Sequence, residues 1–217
     1  MAEQAGYVPA LGRDRLTALY DPVVRLTTRE RSFKARLLDQ AALADGRRML
    51  DLGCGTGTLV IWAKRRVPGL RVHGLDGDAK VLARARAKAA REGLEIEFDQ
   101  GLSQELPYPA ESFDRVLTSL FFHHLRDADK ERTLAEVHRV LRPGGELHVA
   151  DWGAQPDRLM SALSLSIRTL DGHEPTRANF AGELPEMVAR AGFTGVATTG
   201  TLRTVYGALS FYRATRS

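Results

Sequence analysis

Short apolar runs alternate with longer stretches at helical spacing along most of the chain. Residues 13–45 read as two helices. The first breaks near Pro22, and the second runs from about Glu30 to Ala44 with Phe33, Leu37, Leu38 and Ala41 on one face. The period then changes. "RRMLDLG" reads as a strand and "GTLVIWAKRRV" as a helix. "LRVHGLD" is a strand, followed by the helix "DAKVLARARAKAAREG" with Asp78 as N-cap and Gly93 past its end. "LEIEFDQ" is a strand, "SFDRVLTSLFF" holds one, "DADKERTLAEVHRVL" is a helix and "GELHVADW" a strand. "DRLMSALSLSIRTL" and "AGELPEMVARAGF" read as helices. "FTGVATTG" and "TLRTVYGALSFYRATR" close the chain as a strand pair.

Five strand–helix alternations ending in a hairpin predict an α/β fold. Its sheet is open and mostly parallel, with seven strands, a C-terminal antiparallel hairpin and helices on both faces. Such sheets bind ligands at the carboxyl ends of their strands, where the strand order reverses. The first strand ends in "MLDLGCGTGT", with glycines at 53, 55 and 57.

These glycines fit neither common phosphate motif. The dinucleotide fingerprint needs a glycine at 58, where Thr58 stands, and the phosphate loop needs a Lys after Gly57. A tight strand-to-helix turn is the plainer alternative. Asp76 adds chemistry: it ends the second strand, where an acid accepts hydrogen bonds from a ribose diol. It could instead cap the next helix, but Asp78 is better placed for that.

Composition narrows the classes. With 217 residues the chain suffices for one domain with a sizeable core, and 43% hydrophobic and 27% charged residues are ordinary for a globular protein. The net charge of +4 admits anionic ligands without demanding them. Arg84, Arg86, Lys88 and Arg91 share a helix with Val81, Leu82, Ala85 and Ala89, as a solvated face or a docking patch. One cysteine, Cys54, forms neither an internal disulfide nor a metal site and fits a reducing cytoplasm. No secretory signal and no apolar run of membrane-spanning length is visible, so a cytoplasmic protein is expected.

Six motifs in order resemble the class I S-adenosylmethionine-dependent methyltransferases over nearly the whole chain: "LDLGCGTG", "GLDGD", "EFDQGLSQELPYPAESFDRV", "LTSLFFHHL", "LRPGGELHVADW" and "LPEMVARAGF". The resemblance implies a Rossmann-like fold and S-adenosylmethionine as cofactor. It implies cofactor contacts from Asp51, Gly53, Cys54, Gly55, Thr56 and Gly57 at the methionine end and from Asp76 and Gly77 at the ribose. Gly101, Leu102 and Ser103 would lie near the adenine, and Ser119 and Leu120 beneath the cofactor. Two positions depart from the family. Leu102 stands where an Asp usually accepts from the adenine amino group, leaving Ser103, Gln104 or amides near Gly101 to substitute. Gly77 stands where a bulky apolar residue often covers the adenine.

Methyl transfer is an in-line displacement that needs alignment and a dry site, with a base only where the acceptor loses a proton. His123 and His124 follow the fourth strand. One of them orients or deprotonates the acceptor, or, on the plainer reading, one packs against the cofactor or caps the next helix. His173 and Glu174 are further acceptor-side candidates, and Tyr20 could close over the cofactor. His73, His138 and His148 read as structural.

Resemblance by absence narrows the acceptor. Thr118-Ser119-Leu120-Phe121 replaces the Asn/Asp-Pro-Pro-Tyr/Phe loop of nucleic-acid amino-methyltransferases, so nucleic acid is not expected. Cys54 is occupied in the loop, no thiolate set suits arsenite, no Asp/Asn cluster suits a metal-dependent catechol enzyme, and no paired-Glu hairpin suits arginine. Small-molecule, metal-independent methylation of an apolar or aromatic acceptor remains. Tyr20-Asp21, "HHL" and "LRPGG" are loosely similar to the ubiquinone/menaquinone C-methyltransferase-like group.

The implied organisation is one methyltransferase domain over residues 1–217. It comprises lid helices at 1–45, a cofactor core at 46–152, a substrate cap at 153–180 and a C-terminal helix and hairpin at 181–217. The apolar stripe of "RLMSALSLSIRTLDG" serves the lid or packs on the sheet. Two other readings stand beside the enzyme: a non-catalytic cofactor-binding regulatory or partner subunit, and a nicotinamide oxidoreductase, which the glycine spacing disfavours. Monomer and homodimer are both open.

Overall fold

The computed structural model describes residues 29–217. The helix expected before Pro22, and Tyr20, lie outside the described residues.

Seven strands form one sheet: β1 (Arg48–Leu52), β2 (Arg71–Asp76), β3 (Glu97–Gln100), β4 (Phe113–Ser119), β5 (Leu141–Trp152), β6 (Phe193–Thr204) and β7 (Gly207–Arg216), in the order β3-β2-β1-β4-β5-β7-β6. The first five are parallel, and β7 runs antiparallel between β5 and β6. This is the expected Rossmann-like class. Strand order reverses at β1, whose neighbours are β2 and β4, so the crevice opens beyond Leu52.

The helices are α1 (Glu30–Ala41), α2 (Thr58–Arg66), α3 (Ala79–Arg91), α4 (Asp127–Val140), α5 (Arg158–Leu170), α6 (His173–Ala181) and α7 (Leu184–Arg190). One core cluster joins Phe33, Leu37 and Leu38 of α1 to Leu59 and Ile61 of α2 and to Leu82 and Ala85 of α3. On the opposite face Leu134 and Val137 of α4 pack with Met187 and Val188 of α7. The β-strands between them are apolar on both faces, as a doubly covered sheet requires. No helix among the described residues is long and apolar enough to cross a membrane.

Local chemistry sets the boundaries. Asp78 caps α3 as expected, its Oδ1 accepting from the N–H groups of Lys80 at 2.7 Å and Val81 at 3.3 Å. Beyond its C-terminus, Gly93 takes φ +65° and its N–H donates to Ala90 O. Several boundaries differ from the expectation: α1 stops at Ala41, and β5 begins at Leu141. Residues 173–181 form a helix of their own. The hairpin turns at Val205–Tyr206 rather than near Gly200, which stays inside β6 at a register shift beside Thr198. The run "TTGT" around Gly200 is therefore an irregularity in a strand and not its end.

α1 positions the site. It runs antiparallel to β5, with Gln40 Nε2 donating to Tyr212 O at 2.9 Å and lying 3.0 Å from His148 Nδ1. One and a half turns earlier, Lys34 reaches toward the carboxyl edge of the sheet and pairs with Glu30 at 2.6 Å.

Candidate active site

The loop after β1 is built on β2. The N–H groups of Gly53 and Cys54 both donate to Leu75 O at 2.9 Å, and Gly57 N–H turns back to Cys54 O at 3.0 Å. Gly53 and Gly55 are glycines for different reasons. At Gly53, φ is +70° and a Cβ would lie 2.3 Å from Phe121 Cδ2, so the ring fills the place of a side chain. At Gly55, φ is +55° and a Cβ would meet nothing within 4 Å. Gly55 is thus the glycine whose backbone faces open space. Gly57 precedes α2 and packs on Ala85 and Phe98. Thr56 is half-buried, and Lys88 Nζ reaches its carbonyl at 3.5 Å and the Thr58 hydroxyl at 2.8 Å.

Two carboxylates flank this loop. Asp76 Oδ2 accepts from Gly55 N–H at 2.9 Å, and its Oδ1 accepts from Asp78 N–H at 3.0 Å. Burial raises its pKa against those backbone donors. Asp51 is 2% exposed, and its Oδ1 has no hydrogen-bond partner. Burial pushes it up to about 7, with Lys34 pulling down and Asp76 pushing up. A buried carboxylate with an orphaned oxygen is costly unless a cation or donor completes it. Cys54 is buried, and its thiol is pushed far up by burial and by Asp51 and Asp76. It is inert packing and no nucleophile.

The adenine-side positions separate. Gly101 N–H donates to Asp76 O at 3.1 Å, and Gln100 Nε2 donates to Gly77 O at 3.3 Å, so β3 holds the end of β2. Leu102 is 54% exposed. Ser103 is buried, and its hydroxyl lies 2.8 Å from Thr133 Oγ1 of α4. That hydroxyl is engaged inside the fold, by Thr133 and by Gln104 Oε1 at 3.3 Å.

Beyond β4 the chain bends sharply. Ser119 pairs with Ala150, and Leu120, at φ +52°, donates its N–H to Ala150 O at 2.9 Å. A non-glycine residue in the left-handed region here fits a functional turn. The bend lays Phe121 on Gly53 and starts a short 3-10 helix, Phe122–His124. Asp151, fully buried near the end of β5, organises it. Its Oδ2 accepts from the N–H groups of Phe121 at 3.0 Å and Phe122 at 2.7 Å, and its Oδ1 from Trp152 N–H at 2.7 Å. His123 Nδ1 lies 2.7 Å from the same Oδ1. Burial works to raise the Asp151 pKa, but the charge and hydrogen bond of His123 outweigh it and hold it below the ordinary value.

The two histidines differ. His123 is 3% exposed, with Nδ1 on Asp151 and Nε2 3.5 Å from Asp171 Oδ2, at the C-terminus of α5. The His124 ring lies 3.9 Å away, centre to centre. Burial and the neighbouring His123 push His124 down to about 3, so it is neutral at physiological pH. The ligand atoms of His123, His124 and Asp171 all lie within 4.8 Å of one another. His173 and Glu174, at the start of α6, are exposed. α6 is fastened over the 3-10 helix by Lys130 Nζ, fully buried, donating to Pro175 O at 2.7 Å, and by the Arg177–Asp127 ion pair.

Sequence reasoning missed Asp151 and Asp171. Asp151 carries a signal, since an acid in the apolar run "HVADW" is as anomalous as Asp51 in "MLDL". Asp171 carries none, being a polar residue after a helix. His148, buried in β5 and pushed down to about 3 by burial and Arg115, is structural, as is His138 against Phe193.

Residues 49–145 match the methyltransferase-domain family. A demethylmenaquinone methyltransferase of Thermus thermophilus is 40% identical over 124 residues, 57% of this chain and 56% of that protein. A ubiquinone/menaquinone biosynthesis C-methyltransferase of Paracoccus denitrificans is 33% identical over 135 residues, 61% of this chain and 53% of that one. The alignments thus span little more than half the length of these relatives. Among solved structures, an S-adenosylmethionine-dependent methyltransferase of Aquifex aeolicus superposes with a TM-score of 0.67 at 19% identity, covering 94% of this chain and 97% of that one. Residues 49–145 of this chain are thus similar to methyltransferase domains, and its fold is shared with solved S-adenosylmethionine-dependent methyltransferases.

Proposed function

We propose that the chain transfers the methyl group of S-adenosylmethionine to a quinone-like small-molecule acceptor. The observation that carries the reading is the orphaned, fully buried Asp51 carboxylate below a loop whose middle glycine faces open space. That pairing fits the cofactor's cationic methionine end, and the half-buried Asp76 fits its ribose diol. When bound, the cofactor supplies a methyl activated by its sulfonium. Everything else is alignment by this chain.

Asp51 supplies the counter-charge, Asp76 and the Gly55 backbone fix the nucleoside, and Ser119 and Leu120 form the floor. Gly101 and Leu102 flank the adenine. The acceptor side lies between the 3-10 helix and the cap made by α5 and α6. Exposed Leu159, Leu165 and Leu170 give that cap apolar surface, which suits an apolar acceptor. His123, with its tautomer fixed by Asp151, would take at Nε2 the proton that the acceptor loses, as methyl passes to the acceptor and S-adenosylhomocysteine leaves. Nε2 faces Asp171 at 3.5 Å, so the acceptor displaces that side chain on entry. The relatives named for demethylmenaquinone and ubiquinone/menaquinone methylation favour a hydroquinone as acceptor. No step calls for a metal ion.

The test incubates the protein with methyl-deuterated cofactor, reduced demethylmenaquinone and a cell metabolite extract, and reads labelled products by mass spectrometry. A labelled quinol is expected. Binding of S-adenosylhomocysteine with no labelled product from any source overturns transfer in favour of a non-catalytic binding subunit.

A further inference from the structure

The cluster at the edge of the cap has the composition of a metal site. His123 presents Nε2, His124 lies beside it with no hydrogen bond from either ring nitrogen to any described residue, and Asp171 faces both. Their ligand atoms fall within 4.8 Å of one another, and the His123–Asp171 separation is 3.5 Å. Bonds of about 2.0–2.1 Å in a tetrahedral arrangement set ligand atoms roughly 3.3–3.5 Å apart. Small side-chain adjustments therefore close the site.

An independent feature points the same way. A metal-ligating histidine nearly always gives its other ring N–H to a carboxylate or carbonyl, which fixes its tautomer and orientation. His123 has such a partner in Asp151, itself fixed by three backbone N–H groups. Two imidazoles and the Asp171 carboxyl group, backed by the Asp151 carboxylate, offer a dication nitrogen and oxygen donors. α5 also ends at Asp171, so the negative end of its dipole lies there.

We propose that Nε2 of His123, a ring nitrogen of His124 and a carboxylate oxygen of Asp171 form a three-ligand site for a divalent transition-metal ion such as zinc or cobalt. Two imidazoles and one carboxylate favour these borderline ions over magnesium or calcium, which select oxygen. The consequence for turnover rests on the proposed base; the site itself does not. A metal takes the Nε2 lone pair that the acceptor's proton would use. It also ties Asp171 to the 3-10 helix in the arrangement that the acceptor must break. Binding thus holds the cap shut and opposes methyl transfer.

The experiment titrates the tag-free protein with cobalt(II), following visible d–d absorption, and with zinc by calorimetry. Binding of S-adenosylhomocysteine is measured on the same samples. One equivalent of metal is expected, with intense low-coordinate cobalt bands. Asp171→Asn and His124→Gln should each weaken binding at least tenfold while the nucleoside still binds. Asp171→Asn, a near-isosteric change at a partly buried position, keeps the test valid where the histidine variant does not fold. An absent cobalt signal, a hexaaqua-like spectrum, or equal affinity in Asp171→Asn overturns the site. Loss of nucleoside binding in wild-type protein with metal binding intact overturns the functional reading instead.

Discussion

Asp76, the last residue of β2, accepts a 2.9 Å hydrogen bond from the N–H of Gly55, the glycine of the β1 loop that faces open space. The residue suited to a ribose therefore also holds the loop suited to the methionine end. Asp76→Ala should remove both, weakening S-adenosylhomocysteine binding by about 1.5–3 kcal/mol, roughly 10- to 150-fold. Calorimetry reads this directly, and an unchanged affinity would sink the ribose assignment.

Asp51 makes cofactor affinity pH-dependent. In the free protein burial pushes its pKa up to about 7. A cationic ligand end favours the ionised form, so below that pH binding must first expel a proton. Affinity should rise about tenfold per pH unit up to roughly 7 and level off above it, and Asp51→Asn should flatten that profile. Stability runs the other way. The folded pKa lies above the unfolded value of about 3.9, so the native state binds the extra proton and ligand-free protein loses stability as pH rises from about 4 to 7. Asp51→Asn should therefore stabilise the ligand-free protein at pH 8, on the order of 1–3 kcal/mol. A variant no more stable at pH 8 than the wild type would show that Asp51 carries no such burden.

Gly53 and Gly55 should separate folding from binding. At Gly53 a Cβ meets the Phe121 ring at 2.3 Å in a left-handed backbone. Gly53→Ala should cost about 2–4 kcal/mol and lower the melting temperature by many degrees. Gly55→Ala carries only the backbone penalty of about 1–2 kcal/mol. It should stay folded and lose S-adenosylhomocysteine affinity at least tenfold, because the methyl enters the space left for the ligand. Thermal melts with and without S-adenosylhomocysteine distinguish the two. Equal ligand-induced shifts in wild type and Gly55→Ala would remove the loop from the binding site.

Asp151→Asn tests the frame behind the histidines. The carboxylate accepts from three backbone N–H groups and His123. An amide turns one acceptor into a donor, and whichever way it faces a buried N–H loses its partner. A loss of about 3–5 kcal/mol is expected, read by urea denaturation. A variant within 1 kcal/mol of wild type would mean that the 3-10 helix does not depend on this residue.

The sheet was legible because its signals are local: period-two apolar runs, Asp78 three residues before a helix interior, Gly93 just past its end. The loop chemistry was legible for the same reason, since Asp51, three glycines and Asp76 lie within one strand–helix–strand unit. What escaped depends on partners distant in sequence. Asp151 lies 28 residues beyond His123 and Asp171 a further 20, and only the fold brings them together. Ser103 looked like a free hydroxyl because nothing local announces Thr133. α6 escaped because "HEPTRANFA" has a proline near its start and little periodicity.

The adenine side gives a paired prediction. Ser103 points into the fold, while Leu102 is exposed where the resemblance implies an acceptor for the adenine amino group. Ser103→Ala should leave S-adenosylhomocysteine affinity unchanged and cost about 1 kcal/mol of stability through the orphaned Thr133 hydroxyl. Leu102→Asp adds the missing acceptor at an exposed position, where a carboxylate costs little to place. It should tighten S-adenosylhomocysteine by about 0.5–1.5 kcal/mol, roughly 2- to 10-fold. It should do nothing for S-inosylhomocysteine, which carries a carbonyl in place of the amino group. Equal responses to the two nucleosides would mean that residue 102 does not meet that edge of the base, and that adenine is held from another side of the crevice.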